Sequence, residues 1–347
     1  MLHGFATPDG TRLFADRFPL ANRHGFFRDI GGLTVSSLGL GTYPGAADEI
    51  TDLAYEQSAL VALRCGINVL DTSLHYRNQR SERALRSALR IVINANELQR
   101  DQIFVATSAG LLTPGAIPES LHEEDVAGGV HSLQPDFLED QTNRSRENLD
   151  LDTLDLLYLQ NPETQLPFVS LAVLEHRLQL AFERLEKLSS ERLIRWYGLA
   201  TWEGFTTPEH LNLERIIDLA RYVGGEEHRF RFIQIPFNLA TIEAYLHRDE
   251  QGVSVLKMAE RAGIHVVAGA SLHQGQLVHL PEVIRDRIPG FDSDAARAIQ
   301  FSRSTPGISI ALAGMSSAEH VRENLEVARV PPLSRPDYDK LYRPVDA

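Results

Sequence analysis

The run Asp71-Thr72-Ser73-Leu74-His75-Tyr76 sets a carboxyl, an imidazole and a phenol close together, directly after a short apolar stretch. These are the groups that side chains use to move protons. A free carboxyl titrates near 4, an imidazole near 6.5 and a phenol near 10. Taken by itself the trio could carry cofactor-free acid/base work such as isomerisation or dehydration. The competing reading of His75 is an ordinary loop residue whose side chain points away from Tyr76. Metal chemistry has less behind it. His122-Glu123-Glu124-Asp125 lacks a second ligand cluster, and neither His-Glu-x-x-His nor paired cysteines occur, so no metal site is expected. Cys65 is the only cysteine. No intrachain disulfide can form, and the setting Leu63-Arg64-Cys65-Gly66-Ile67 reads as a small buried apolar position.

Such groups need a frame. Of 347 residues, 43% are apolar and 23% charged, the balance of a folded chain with a sizeable core rather than of a disordered or fibrous one. Lys plus Arg number 34 against 47 Asp plus Glu, a net charge of −13 that speaks against nucleic acid or an anionic membrane as partner. No apolar run approaches the roughly 18 residues of a membrane span, and the first 25 residues lack the blocks of a signal peptide, so a cytoplasmic protein is expected.

Short Val-, Ile- and Leu-rich runs recur at 35–41, 67–71, 103–107, 154–160, 196–200, 232–235, 265–268 and 309–313. Helical patterns separate them at 55–64, 81–92, 171–189, 211–222 and 255–262. This alternation predicts an α/β chain closed into a (β/α)8 TIM barrel. An open doubly wound sheet would carry a Gly-rich phosphate loop after its first strand; Gly39, Gly41 and Gly45 are followed by no immediate helix. Gly31-Gly32 between 26–30 and 33–37 predicts a two-residue hairpin that can plug the barrel's N-terminal mouth. The expected division is an extension over 1–25 and a single barrel domain over 26–347. Within the extension, Thr7-Pro8-Asp9-Gly10-Thr11 reads as a turn, followed by a small apolar patch at Leu13 and Phe14. The turn-rich stretch 111–140 is either a lid over the site or a surface insertion. In a barrel of this type chemistry belongs at the C-terminal ends of the strands.

Asp71 five positions before Tyr76, with Asn78, Ser81 and Glu82 following, closely resembles a motif of the aldo-keto reductases. Three further stretches resemble that family in order and spacing: Ile30 through Thr42, Ser145 through Gln160, and Pro306-Gly307 through Gly314-Met315-Ser316-Ser317 to Asn324. The resemblance implies hydride transfer from NADP(H) or NAD(H) to a carbonyl, or to a conjugated double bond, of a small molecule. It implies that Tyr76 protonates the product oxygen, tuned by a lysine that Asp71 holds, with a histidine orienting the carbonyl. Two of these four positions depart from the pattern. Ser108 stands where the family has the lysine and Gln160 where it has the histidine. The tetrad is thus expected to be incomplete: Tyr76 keeps a high pKa without a cation beside it, and Gln160 can donate a hydrogen bond but cannot become cationic. His75 could supply a substitute proton relay.

For the cofactor, the resemblance implies contacts from Thr42, Tyr43, Asn161, Gln234, Ser316, His320, Glu323 and Asn324. Glu323 and Asn324 match the pair that holds the adenine amino group. The aromatic that stacks on nicotinamide aligns with Gly269, the usual Ser-Asn pair reads Ala200-Thr201 before Trp202, and a common phosphate-binding cation aligns with His320. Fewer fixed cations imply weaker phosphate binding. The expected function is an NAD(P)H-dependent oxidoreductase with an altered tetrad. The alternative is a redox-inactive barrel that binds a ligand or regulates.

Overall fold

The computed structural model describes residues 1–207 and 210–342; the end of the expected barrel domain, 343–347, lies outside the described residues. Eight parallel strands close on themselves: β3 (Leu38–Gly41), β4 (Val69–Asp71), β5 (Phe104–Ala109), β8 (Leu154–Gln160), β9 (Ile194–Ala200), β10 (Phe230–Pro236), β11 (His265–Gly269) and β12 (Ile308–Gly314), which returns to β3. Helices such as Glu49–Arg64, Arg80–Asn94, Pro135–Leu149 and Leu171–Ser190 surround them, which is the (β/α)8 barrel the alternation predicts. No described helix is long and apolar enough to cross a membrane.

Strand alternation divides the core in two. Leu40, Leu70, Val105, Leu157 and Ile233 point outward into the layer beneath the helices. Their neighbours Val69, Phe104, Ala106, Leu156, Tyr158, Trp196, Phe232 and Leu312 fill the barrel's interior. Phe104, Trp196 and Phe232 meet there with centroids 5.6 to 6.4 Å apart. The filling is tight enough to require glycine at Gly39, where a Cβ would stand 2.6 Å from Leu312 Cδ2 and 3.0 Å from Val69 Cγ1. Continuing the same period of two, Asp71, Ser108, Gln160 and Gly269 take the last inward positions of their strands, and Gln234 stands two residues before the end of β10.

The hairpin forms as β1 (Phe27–Ile30) and β2 (Leu33–Ser36), with Ile30 paired to Leu33 and Gly31 and Gly32 in the left-handed region. Ile30, Leu33 and Val35 enter the interior cluster from below. The first barrel strand starts later than its apolar run suggests: Val35 and Ser36 belong to the hairpin, and Ser37 divides the two strands. The supposed turn at residues 7–11 is instead the start of a helix, Pro8–Asp16. Thr7 Oγ1 accepts the Gly10 N–H at 3.0 Å and Pro8 takes the first turn, so residues that punctuate turns here cap a helix. Helix Glu49–Arg64 also begins before its expected start, capped by Asp48; Ile50 and Leu53 in its first turns face solvent and hide the amphipathic period. Cys65 is exposed rather than buried, because it lies one residue beyond that helix and turns outward.

The stretch 111–140 contains a minimal hairpin, β6 (Val126–Ala127) with β7 (His131–Ser132), before helix Pro135–Leu149 takes over.

Candidate active site

A cavity of about 910 Å³ opens at the C-terminal end of the barrel. Its wall takes residues from the loops after β3, β4, β8, β9, β10, β11 and β12. At its inner end stand Asp71, Tyr76, Gln160 and Gln234; near the helix Ala318–Asn324 stand Ser316, His320, Glu323 and Asn324. Thr42, Tyr43 and Asn161 complete the wall among the residues expected there. Ser108 and His75 do not reach it. Ser108 is buried on β5 beside Tyr158, its partner in register on β8. His75 is exposed on the loop, outside the described cavity wall.

The loop after β4 is held in an unusual shape. Arg77, Asn78 and Gln79 all have positive φ, of 50°, 55° and 69°. Arg77 pins the turn to the start of the preceding helix, Glu49–Arg64, donating to the Ala46 and Asp48 carbonyls and pairing with Asp52. The result presents Tyr76 to the cavity, where Tyr43 packs edge-on at 5.1 Å.

Asp71 is 5% exposed. Its Oδ2 accepts from Gln234 Nε2 at 3.0 Å, and among the described residues it forms no ion pair. Burial pushes its carboxyl up to about 7, the Gln234 bond opposing the rise only in part. Burial first, and then the charge of Asp71, raise the Tyr76 phenol well above its ordinary value. Tyr158, wholly inside the barrel, is raised for the same reasons. Two other carboxylates are fully buried and are held differently: Asp155 pairs with Arg100 at 2.7 Å and accepts the Ala6 and Val105 N–H groups, while Glu82 accepts from Thr107 Oγ1 at 2.7 Å and Asn148 Nδ2 at 2.8 Å.

Gln160 is oriented from both ends. Its Oε1 accepts from Ser73 Oγ at 2.9 Å, which leaves its amide N–H groups as the donors for the cavity. Its backbone carbonyl takes a bond from His131 Nε2 at 2.8 Å. Gln165 Nε2 occupies His131 Nδ1 at 2.9 Å, and Arg177 holds Gln165 Oε1 at 2.7 Å. That sequence of donors fixes the tautomer, with the proton on His131 Nε2. Burial keeps this imidazole neutral, down to about 4. The stretch 111–140 thus contributes a brace beneath Gln160 and no described residue to the cavity wall.

Thr42 spends its hydroxyl within the protein, on the Asp71 carbonyl and Thr72. Asn324 is different: it is 2% exposed, its side chain borders the cavity, and its Oδ1 has no hydrogen-bond partner. A buried orphan acceptor asks for a donor from a ligand. Thr201 Oγ1, also on the wall, is orphaned too. No described wall residue is Lys or Arg. Gly269 puts no ring into the cavity, while Trp202 stands half-exposed on its edge. Tyr158 escaped the sequence reading although it lies two residues before Gln160 and so shares its inward face. His131 carried no signal at all, since its brace depends on distant partners.

A model of the aldo/keto reductase family matches residues 37–289. The chain is 22% identical over 338 residues, 90% of its own length and 92% of the relative's, to the uncharacterized oxidoreductase YqkF of Bacillus subtilis. It is 25% identical over 186 residues, 52% of each chain, to an NADH-specific methylglyoxal reductase of Escherichia coli. Among similar solved structures are an aldo-keto reductase from Bacillus halodurans in its holo form, with TM-score 0.65, 20% identity and coverage of 91% and 96% of the two chains. Another is an aldo/keto reductase from Klebsiella pneumoniae in complex with NADP and acetate, with TM-score 0.63, 20% identity and coverage of 91% and 95%.

Proposed function

The chain belongs to the aldo/keto reductase family, and from that premise we propose that it is a nicotinamide-dependent reductase of a small polarised double bond, using NADH in preference to NADPH. The observation that carries this reading is the pairing of two ends in one cavity: an orphaned Asn324 acceptor at one end and the Asp71, Tyr76, Gln160 and Gln234 cluster at the other. Asn324, Glu323 and His320 would hold the adenosine portion; Gln234, Asn161 and Thr201 would address the nicotinamide portion. When bound, the dinucleotide supplies a hydride. Gln160 donates to the acceptor atom of the substrate, in a direction fixed by Ser73 and the His131 brace, and the Tyr76 hydroxyl faces the same space. Trp202 and Tyr43 give the substrate an aromatic border.

The cofactor preference rests on charge. An additional 2′-phosphate is best held by a guanidinium or ammonium, and the described wall offers neither. The methylglyoxal reductase related to half of this chain is NADH-specific by name.

The chain has two tryptophans, and Trp202 borders the cavity whereas Trp196 lies inside the barrel. Titration with NADH should quench Trp202 saturably at micromolar concentrations, and Trp202→Phe should remove most of the signal. No saturation by 1 mM NADH or NADPH would favour the second reading, a barrel that binds a ligand without redox chemistry. The specific observation behind that second reading is that the described wall around Asp71 and Tyr76 has no lysine or arginine, Arg77 being paired with Asp52 instead.

A further inference from the structure

The cavity's inner end carries a carboxyl where a cation-binding group would do more good than a proton donor. Asp71 is buried and borders the open space, yet its described side-chain partner is a neutral amide. The fully buried carboxylates each have both oxygens occupied, Asp155 by Arg100 and backbone N–H groups and Glu82 by Thr107 and Asn148. At Asp71 one oxygen accepts from Gln234, and the carboxyl borders the open cavity with no described side-chain donor on the other oxygen. The only other carboxylate on the described wall, Glu323, lies near the opposite end, and no described lysine or arginine competes for either.

The chemistry of a neutral carbonyl fits this poorly. Hydride addition to C=O leaves an alkoxide, which must receive a proton and, above pH 7 where Asp71 is ionised, is repelled by the nearby carboxylate. The phenols near that carboxylate, Tyr76 and Tyr158, are both weakened as acids by burial and by its charge. An iminium cation has the opposite requirements. It arrives already charged, gains from a buried anion and needs no proton to complete its reduction.

Resting on the reductase reading above, we propose that the substrate is an iminium cation, the protonated form of a small imine, whose N–H⁺ pairs with the Asp71 carboxylate. The substrate carbon accepts the hydride, forming a C–H bond; the C=N π pair withdraws to nitrogen as a lone pair, and the product is a neutral amine. The reductant, NADH, loses two electrons and leaves as NAD⁺. Gln234 is the positioning residue, holding Oδ2 so that Oδ1 is left for the substrate.

The test uses the full chain and begins with the NADH titration. In the presence of saturating NADH, calorimetry then compares 2-phenylpyrrolidine, a redox-inert cation at pH 7.5, with acetophenone, a neutral carbonyl of similar size. The cation should bind at least tenfold more tightly, and Asp71→Asn should abolish that advantage while leaving NADH affinity within twofold. Reduction of 2-phenyl-1-pyrroline, followed by NADH oxidation, should exceed that of acetophenone at least tenfold in kcat/KM. The wild-type comparison stands even if the Asn variant folds poorly, which its thermal melt reports. NADH binding with equal affinity for the two probes overturns the iminium proposal and spares the reductase reading. A cation preference that survives in Asp71→Asn overturns the role given to Asp71. Absence of NADH binding overturns the reductase reading and the proposal with it.

Discussion

At the scale of residues, the inner end of the cavity is a matter of two strand neighbours and one carboxyl. Ser108 and Tyr158 face inward side by side, so the small hydroxyl and the large phenol share one volume. Placing a long side chain at 108 without shortening 158 overfills the interior. Ser108→Lys should therefore destabilise by about 1–3 kcal/mol in urea unfolding, and Ser108→Lys combined with Tyr158→Leu should recover at least half of that loss. Additive single effects would show that the two positions do not share space. Asp71 makes a second prediction. The folded protein holds its carboxyl proton up to about pH 7, whereas the unfolded chain releases it near pH 4. The contribution of Asp71 to stability is complete below pH 4 and is lost as pH rises through 7. Asp71→Asn should thus gain on the wild type between pH 5 and pH 8 by on the order of a few kcal/mol, read from unfolding midpoints at the two values. A pH-independent difference would mean that the carboxyl is no more buried than in the unfolded chain. The strand-end positions of Asp71 and Gln160 are legible from alternation alone. Tyr158 is equally legible by period, but a tyrosine inside an apolar run reads as core.

At the scale of elements, the strands and the first hairpin could be read because each follows from local chemistry. Alternation set the inward faces, and Gly31-Gly32 set the register of β1 on β2. The misreadings were also local. Thr7-Pro8-Asp9-Gly10 suits a turn and a helix start equally well, and the helix docks against the hairpin, where the Thr34 N–H donates to Thr11 Oγ1 at 3.0 Å. The stretch 111–140 could not be resolved because its job is long-range: β7 delivers His131 to the carbonyl of Gln160, and Gln165 and Arg177 fix its tautomer. The brace predicts a pH effect opposite to that of Asp71. The folded protein keeps His131 neutral down to about 4, while the unfolded chain protonates near 6.5. Its stabilisation is complete above pH 6.5 and lost as pH falls toward 4. His131→Leu should cost about 2–3 kcal/mol at pH 7.5, since it orphans a buried carbonyl and a buried amide. The deficit should shrink markedly at pH 5. An unchanged deficit at both pH values would assign the loss to packing alone.

At the scale of the whole molecule, charge is distributed against the usual way of holding phosphate. The net charge is −13, and the described cavity wall offers two carboxyls and no lysine or arginine. Of the buried guanidiniums, Arg77 behind the loop after β4 is spent on the Ala46 and Asp48 carbonyls and Asp52, and two lie at the other end of the barrel, where Arg28 donates to the Ile308 and Ser309 carbonyls and Arg303 to Ser37 Oγ and the Val327 carbonyl. They serve backbone there and are out of reach of any ligand at the C-terminal mouth. In the proposed reading, a dinucleotide would approach a chain of net negative charge and bind through neutral donors and acceptors such as Gln234, Asn161 and Asn324. The consequence is a salt dependence of unusual sign. Raising ionic strength from 0.05 to 0.5 M shortens the Debye length from roughly 14 Å to roughly 4 Å and screens that repulsion. Where phosphates are held by arginine or lysine, the same change weakens binding. Here the Kd of NADH should stay level or fall with salt, and that of NADPH, with its additional phosphate charge, should fall more steeply from a starting value at least tenfold higher. The Trp202 quench measures both. A Kd for NADPH that rises with salt, or lies below that of NADH, would locate a phosphate-binding cation among the residues around the mouth and remove the ground for the NADH preference.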